Sequence, residues 1–91
     1  MSAPPAPDSL ITYPCHFPIK VMGLHTPGLV QEMLAIVRRF DPDFDPLTLE
    51  QRPSKAGKYL GLTLTVHVHH RVQLDELYRA LSSHPLVKVV L

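Results

Sequence analysis

The sequence predicts an α+β fold of order βαββαβ, a four-stranded antiparallel sheet with two helices on one face. Three observations carry that expectation. Tyr59 to His69 alternates strictly, with Leu60, Leu62, Leu64, Val66 and Val68 on one side and Tyr59, Gly61, Thr63, Thr65, His67 and His69 on the other. Two stretches flanking it repeat apolar residues at helical spacing. The segment Lys20-Val21-Met22-Gly23-Leu24-His25-Thr26-Pro27-Gly28-Leu29-Val30 reads as a strand, a tight corner and the first turn of a helix.

Residues 1–9, Met-Ser-Ala-Pro-Pro-Ala-Pro-Asp-Ser, are small or proline and are expected to form a disordered tail ahead of one domain spanning 10–91. Leu10, Ile11 and Tyr13 suit a path along the domain surface, and Pro14 forbids regular pairing there. The first strand is expected over Phe17 to Met22, with Phe17, Ile19 and Val21 inward and Lys20 and Met22 outward. Thr26 suits the cap of the first helix, Pro27 its first position, and Gly28 a close backbone approach. That helix runs to Phe40 on a stripe of Leu29, Met33, Ile36 and Phe40, with Arg38 and Arg39 in the last turn where cations suit the dipole. Asp41-Pro42-Asp43-Phe44-Asp45-Pro46 stops it.

Leu47 to Pro53 alternates as a half-buried edge strand, and Ser54-Lys55-Ala56-Gly57-Lys58 makes a hairpin loop with Gly57 available for positive φ. After the long strand, Arg71 to Ser83 places Leu74, Leu77, Tyr78 and Leu81 on one helical stripe. Pro85 then leads into a last strand, Leu86 to Val90. Two right-handed split βαβ units joined in this way give the ferredoxin-like arrangement, with the first and third strands central.

Composition narrows the function classes. At 91 residues and 45% apolar, the chain has material for one core and is not expected to be disordered. Apolar runs are too short to span a bilayer and the N-terminus lacks a secretory pattern, so a cytoplasmic protein away from membranes is expected. Cys15, the single cysteine, agrees with that compartment and has no neighbour that would activate it. A net charge of +1 without a basic run lacks the footprint of a nucleic-acid binder.

The outward sheet face is expected to carry Lys20, Met22, Thr48, Glu50, Arg52, Tyr59, Thr63, Thr65, His67, Lys88 and Val90. It reads either as a solvated face or as a surface for self-association or a partner, with Met22, Tyr59, Thr63, Thr65, His67 and Val90 as its contact set. RNA-recognition motifs share the topology but need outward aromatics on both central strands, and here only Tyr59 is offered. RNA binding therefore stands behind the other readings. His67 and His69 point the same way, but two imidazoles do not close a metal site and His25 is the only further ligand in view, so no metal is expected. Asp41, Asp43 and Asp45 lack the glycine and closing glutamate of a calcium loop. No acid, base and nucleophile converge, so neither catalysis nor a cofactor is expected.

The residues laid out above resemble the YbeD-like family of small bacterial proteins of unknown function, over roughly 10–91. The resemblance rests on Tyr13-Pro14 with Phe17 and Lys20-Val21-Met22-Gly23, on Arg52-Pro53-Ser54 with Gly57 and Tyr59, on Leu77-Tyr78 with Leu81, and on Val87-Lys88-Val89-Val90-Leu91. It implies a fold like that of ACT regulatory domains, which bind amino acids beside metabolic enzymes. In those domains the corner after the first strand often reads acid-x-Pro-Gly-apolar-apolar, and the effector sits there, commonly at a subunit boundary. Here it reads His25-Thr26-Pro27-Gly28-Leu29-Val30, so the Pro-Gly core carries over to Pro27 and Gly28 while His25 stands where the acid would meet an amino group. The implied protein is a non-catalytic regulatory or adaptor domain, acting as a homodimer or beside a metabolic enzyme. Its expected site for a small anionic ligand is Gly23, His25, Thr26, Pro27 and Gly28, with Lys20 nearby. The alternative is a protein-interaction module that uses the open sheet face and takes no small ligand.

Overall fold

Alternation along β3 (Tyr59–Val68) sets the architecture, because every second residue, from Leu60 to Val68, is buried. The computed structural model describes residues 11–91, and the tail expected over 1–9 lies outside the described residues. β1 (Cys15–Leu24) runs antiparallel to β3 over its whole length, from Cys15 opposite Val68 to Leu24 opposite Tyr59. β2 (Glu50–Pro53) pairs with the other side of β3, and β4 (Val87–Val90) with β1, giving the order β2-β3-β1-β4. The first and third strands are central, as the ferredoxin-like arrangement requires.

β1 is longer than its apolar alternation suggested, and it contains Pro18. The amide and carbonyl of Lys20 bond to Leu91, so even-numbered residues of β1 turn their backbone groups toward β4. The amide that Pro18 lacks would point the same way, beyond the Lys20–Leu91 pair, so the proline removes no bond of the β1–β3 ladder.

α1 (Leu29–Phe40) and α2 (Arg71–Ser82) cover one face. Leu29, Met33, Ile36 and Val37 of α1 and Leu74, Leu77, Tyr78 and Leu81 of α2 join Ile19, Val21 and the inward residues of β3 in one cluster. α2 begins where His70 accepts a bond from the Gln73 amide through its ring. Gln73 in turn accepts from the His69 amide at 2.7 Å and donates to the Phe40 carbonyl at 3.0 Å, tying the end of β3 to the end of α1.

The stretch after α1 does more than stop a helix. Asp41 is buried, its amide donates to Val37, and its carboxylate accepts from the His67 amide at 3.0 Å. That bond satisfies β3 past the point where β2 has ended. Phe44, 5% exposed, joins the core.

Three local expectations are corrected. The second strand starts at Glu50 rather than Leu47, because Pro46–Thr48 forms a 3-10 turn. The Asp45 carboxylate accepts from the Leu47 amide and its carbonyl from the Thr48 hydroxyl, a local bonding scheme that outcompetes the ladder. Leu47 is consequently exposed and Thr48 leaves the sheet face.

Val90, expected on the open face, is fully buried. Between Met22 and Gly23 the β4 register slips: Val90 faces Val21, Val89 faces Met22, and Val87 faces Gly23, leaving Lys88 as the extra residue of a bulge. The bulge reverses the parity of β4, so Val90 turns inward and Val89 takes the outward place. Thr26, finally, does not cap α1 with its side chain. Gly28 is the N-cap, and the Thr26 carbonyl accepts from Leu29 across the turn that contains Pro27.

Candidate functional site

The β1–α1 corner is built from backbone bonds. The Leu24 amide donates to Leu86, the His25 amide to Lys58, and the Thr26 amide back to Leu24. His25 bonds through Nδ1 to the Gly57 carbonyl at 3.1 Å; a carbonyl can only accept, so Nδ1 carries the proton. Gly57, at φ +78, holds the left-handed conformation that the hairpin loop demands.

The corner's two glycines differ. A Cβ on Gly23 would lie 2.6 Å from the Leu86 carbonyl and 2.8 Å from Leu29 Cδ1. Gly23 is therefore a packing contact beneath the start of α1 and is closed to any visitor. Gly28 has ordinary helical dihedrals, and a Cβ there would meet nothing within 4 Å. No side chain caps α1, and the amides of Val30 and Gln31 have no partner outside the helix among the described residues. His25, Pro27 and Gly28 are exposed and Thr26 is half-buried, so the helix start faces solvent.

Lys20 belongs elsewhere. It lines a shallow groove of about 320 Å³ on the open sheet face, with Met22, Glu50, Arg52, Gly61 and Thr63. Gly61 sits opposite both Met22 and Arg52, and its missing side chain makes the hollow between them. Tyr59 lies at the corner end of this face, with the Lys58 ammonium 5.4 Å from its ring centre. Thr63 and Thr65 occupy the middle, half-buried, opposite Lys20 and Pro18.

His67 lies at the far end of the face, stacked on His16 of β1 with ring centres 4.6 Å apart. The expected neighbour, His25, is at the opposite end of β1. Reading the sequence alone missed His16 because the β1–β3 register, which sets it opposite His67, is fixed only by the folded pairing.

Taken together, the strand order and the single helical layer give an ACT-like, ferredoxin-like fold. The solved ACT domain from GTP pyrophosphokinase of Chlorobium tepidum superposes with a TM-score of 0.66, covering 85% of this chain and 97% of that one at 18% identity, which establishes the shared fold. The chain belongs to the family described as "Protein of unknown function (DUF493)", which matches residues 8–91 and comprises YbeD-like small bacterial proteins. A UPF0250 protein of Leptothrix cholodnii is 61% identical over 96% of each chain, and one of Bordetella pertussis 56% identical over the same shares. One of Nitrosomonas europaea is 52% identical over 92% of this chain and 97% of its own. Among the described residues, no helix is long and apolar enough to cross a membrane.

Proposed function

We propose that the chain is a non-catalytic regulatory or adaptor domain that takes a small anionic metabolite at the start of α1. The observation that carries this reading is the bare N-cap at Gly28, with free amides behind it and open space above it. Those amides and the helix dipole favour a carboxylate or phosphate oxygen. His25 stands beside this helix start, held through Nδ1 by the Gly57 carbonyl. An imidazole in the place of an acid suits a ligand recognised by its anionic group rather than by an amine. The ACT domain it superposes on comes from a GTP pyrophosphokinase, in keeping with service to a metabolic enzyme.

The test is a thermal-shift series on the full chain with single amino acids, dicarboxylates and inorganic phosphate. At least one anion is expected to raise Tm, and Gly28→Asp is expected to abolish that rise while leaving the unliganded Tm nearly unchanged. Asp is a good N-cap residue, and no neighbour obstructs it. No rise with any anion on the unmodified chain rejects the ligand.

The groove lined by Lys20, Arg52 and Glu50 favours a second reading, an interaction face for another copy or an enzyme partner. Its mixed charges suit a polar-rimmed contact, and Met22 supplies an apolar centre at 42% exposure. Mass measurement in solution, with and without lysine at both Thr63 and Thr65, distinguishes the two. A loss of assembly without loss of the anion effect assigns assembly to the sheet face and the ligand to the corner.

A further inference from the structure

Two rows of residues cross the open face of the sheet. In the first, Lys20 of β1 stands opposite Thr63 of β3, and Thr63 opposite Glu50 of β2. In the second, Met22 stands opposite Gly61, and Gly61 opposite Arg52. All six line the groove on this face, and β3 forms the middle of both rows. The first row is basic at one end and acidic at the other. Two strand spacings, about 10 Å, hold those ends apart. Lys20, Glu50 and Arg52 are exposed, and none has a side-chain hydrogen bond or ion pair among the described residues. The second row is hollow at its middle, because Gly61 has no side chain, and Met22 stands beside the hollow at 42% exposure.

We propose that this face docks on a second copy of itself, about a two-fold axis that runs along β3 between the two stacked sheets. The proposal rests on the sheet face being an interaction surface and commits it to one occupant. Such a rotation brings the β1 side of one copy over the β2 side of the other and keeps each row over its own counterpart. Lys20 then faces Glu50 of the other copy, and Glu50 faces its Lys20, so the first row closes two ion pairs that one chain alone cannot make. Thr63 meets Thr63 on the axis and is short enough to let the longer side chains reach across the roughly 10 Å between packed sheets. In the second row, each Met22 lies against the apolar stem of the opposite Arg52, whose guanidinium stays at the wet rim. The two Gly61 hollows face each other and leave room for the methionines. The contact is small and polar, so the dimer is weak and reversible. Both helices cover the other side of the sheet, which leaves the start of α1 free.

The experiment is analytical ultracentrifugation of the full chain over a range of concentrations, alongside Lys20→Glu, Glu50→Lys and an equimolar mixture of those two variants. The unmodified chain is expected to show a monomer–dimer equilibrium. Either reversal alone sets like charges against each other at both ends of the row and is expected to weaken the dimer by about tenfold or more. In the mixture, a Lys20→Glu chain offers two acids to the two lysines of a Glu50→Lys chain. Heterodimers are therefore expected to form with an affinity within about threefold of the unmodified dimer. A monomer at every concentration overturns self-docking and leaves the face to an enzyme partner. A dimer that survives either reversal within about threefold, or a mixture that fails to associate, overturns the pairing. Lysine at both Thr63 and Thr65 tells the failures apart: a dimer lost there keeps the contact on this face, and a dimer kept there removes the face reading as well. Circular dichroism of each variant separates a lost contact from a lost fold.

Discussion

On the helix side of β3, Leu60, Leu62, Leu64, Val66 and Val68 are buried, while on the other side Tyr59, Gly61, Thr63, Thr65 and His67 are each partly exposed. The same strand thus serves two surfaces with different rules. The covered side is held by apolar area removed from water and tolerates little change of shape. The open side is partly exposed, with a groove flanked by Lys20 and Arg52 at one end and the stacked rings of His16 and His67 at the other. Buried apolar side chains are thus gathered on one face of the strand and partly exposed groups on the other.

The sharpest way to break that division is to truncate one residue on each side of the same strand. Leu64→Ala removes a fully buried side chain beneath both helices and is expected to cost about 2–5 kcal/mol in urea unfolding. Thr63→Ala, its neighbour on the open side, is expected to stay within about 0.5 kcal/mol. A Thr63 cost as large as that of Leu64 would show that something covers the open face in solution.

How much of this was legible beforehand follows the same line. Period-2 alternation along Tyr59–Val68 and the helical stripe of Leu74, Leu77, Tyr78 and Leu81 depend only on local spacing, so the covered side could be read almost residue by residue. The open side depends on which strand lies beside which, and in what register. The bulge opposite Gly23 turns Val90 inward and Val89 outward, and nothing local in Val87-Lys88-Val89-Val90 announces it. Asp41 and Phe44 looked like punctuation because their partners, the His67 amide and the core, are remote in sequence. At the corner, the Pro-Gly signal marked a real helix start but did not tell the closed glycine from the open one.

The two glycines of the corner sharpen the comparison at a smaller scale. Gly23→Ala must displace the Leu86 carbonyl or the Leu29 side chain, and is expected to cost about 1–3 kcal/mol. Gly28→Asp, five residues on and facing solvent, is expected to change stability by no more than about 0.5 kcal/mol. Equal costs would mean that the corner is loosely packed and that Gly23 contributes no more than Gly28 to joining β1 to β4.

The smallest expected effect is a pH slope on the covered side. Tyr78 is 6% exposed on the inner stripe of α2, and burial raises its hydroxyl above the ordinary value of 10.0. The folded chain therefore keeps this proton at a pH where the unfolded chain has lost it. Because the native state binds the extra proton, the unfolding free energy falls as pH rises above about 10, and this group contributes no slope below that. Tyr78→Phe is expected to flatten the fall between pH 9.5 and 11 relative to the unmodified chain, with lysine titration common to both and cancelling in the difference. An identical alkaline slope in the two proteins would mean that water reaches the phenol through the helical layer, and that the covered face is less sealed than its side chains imply.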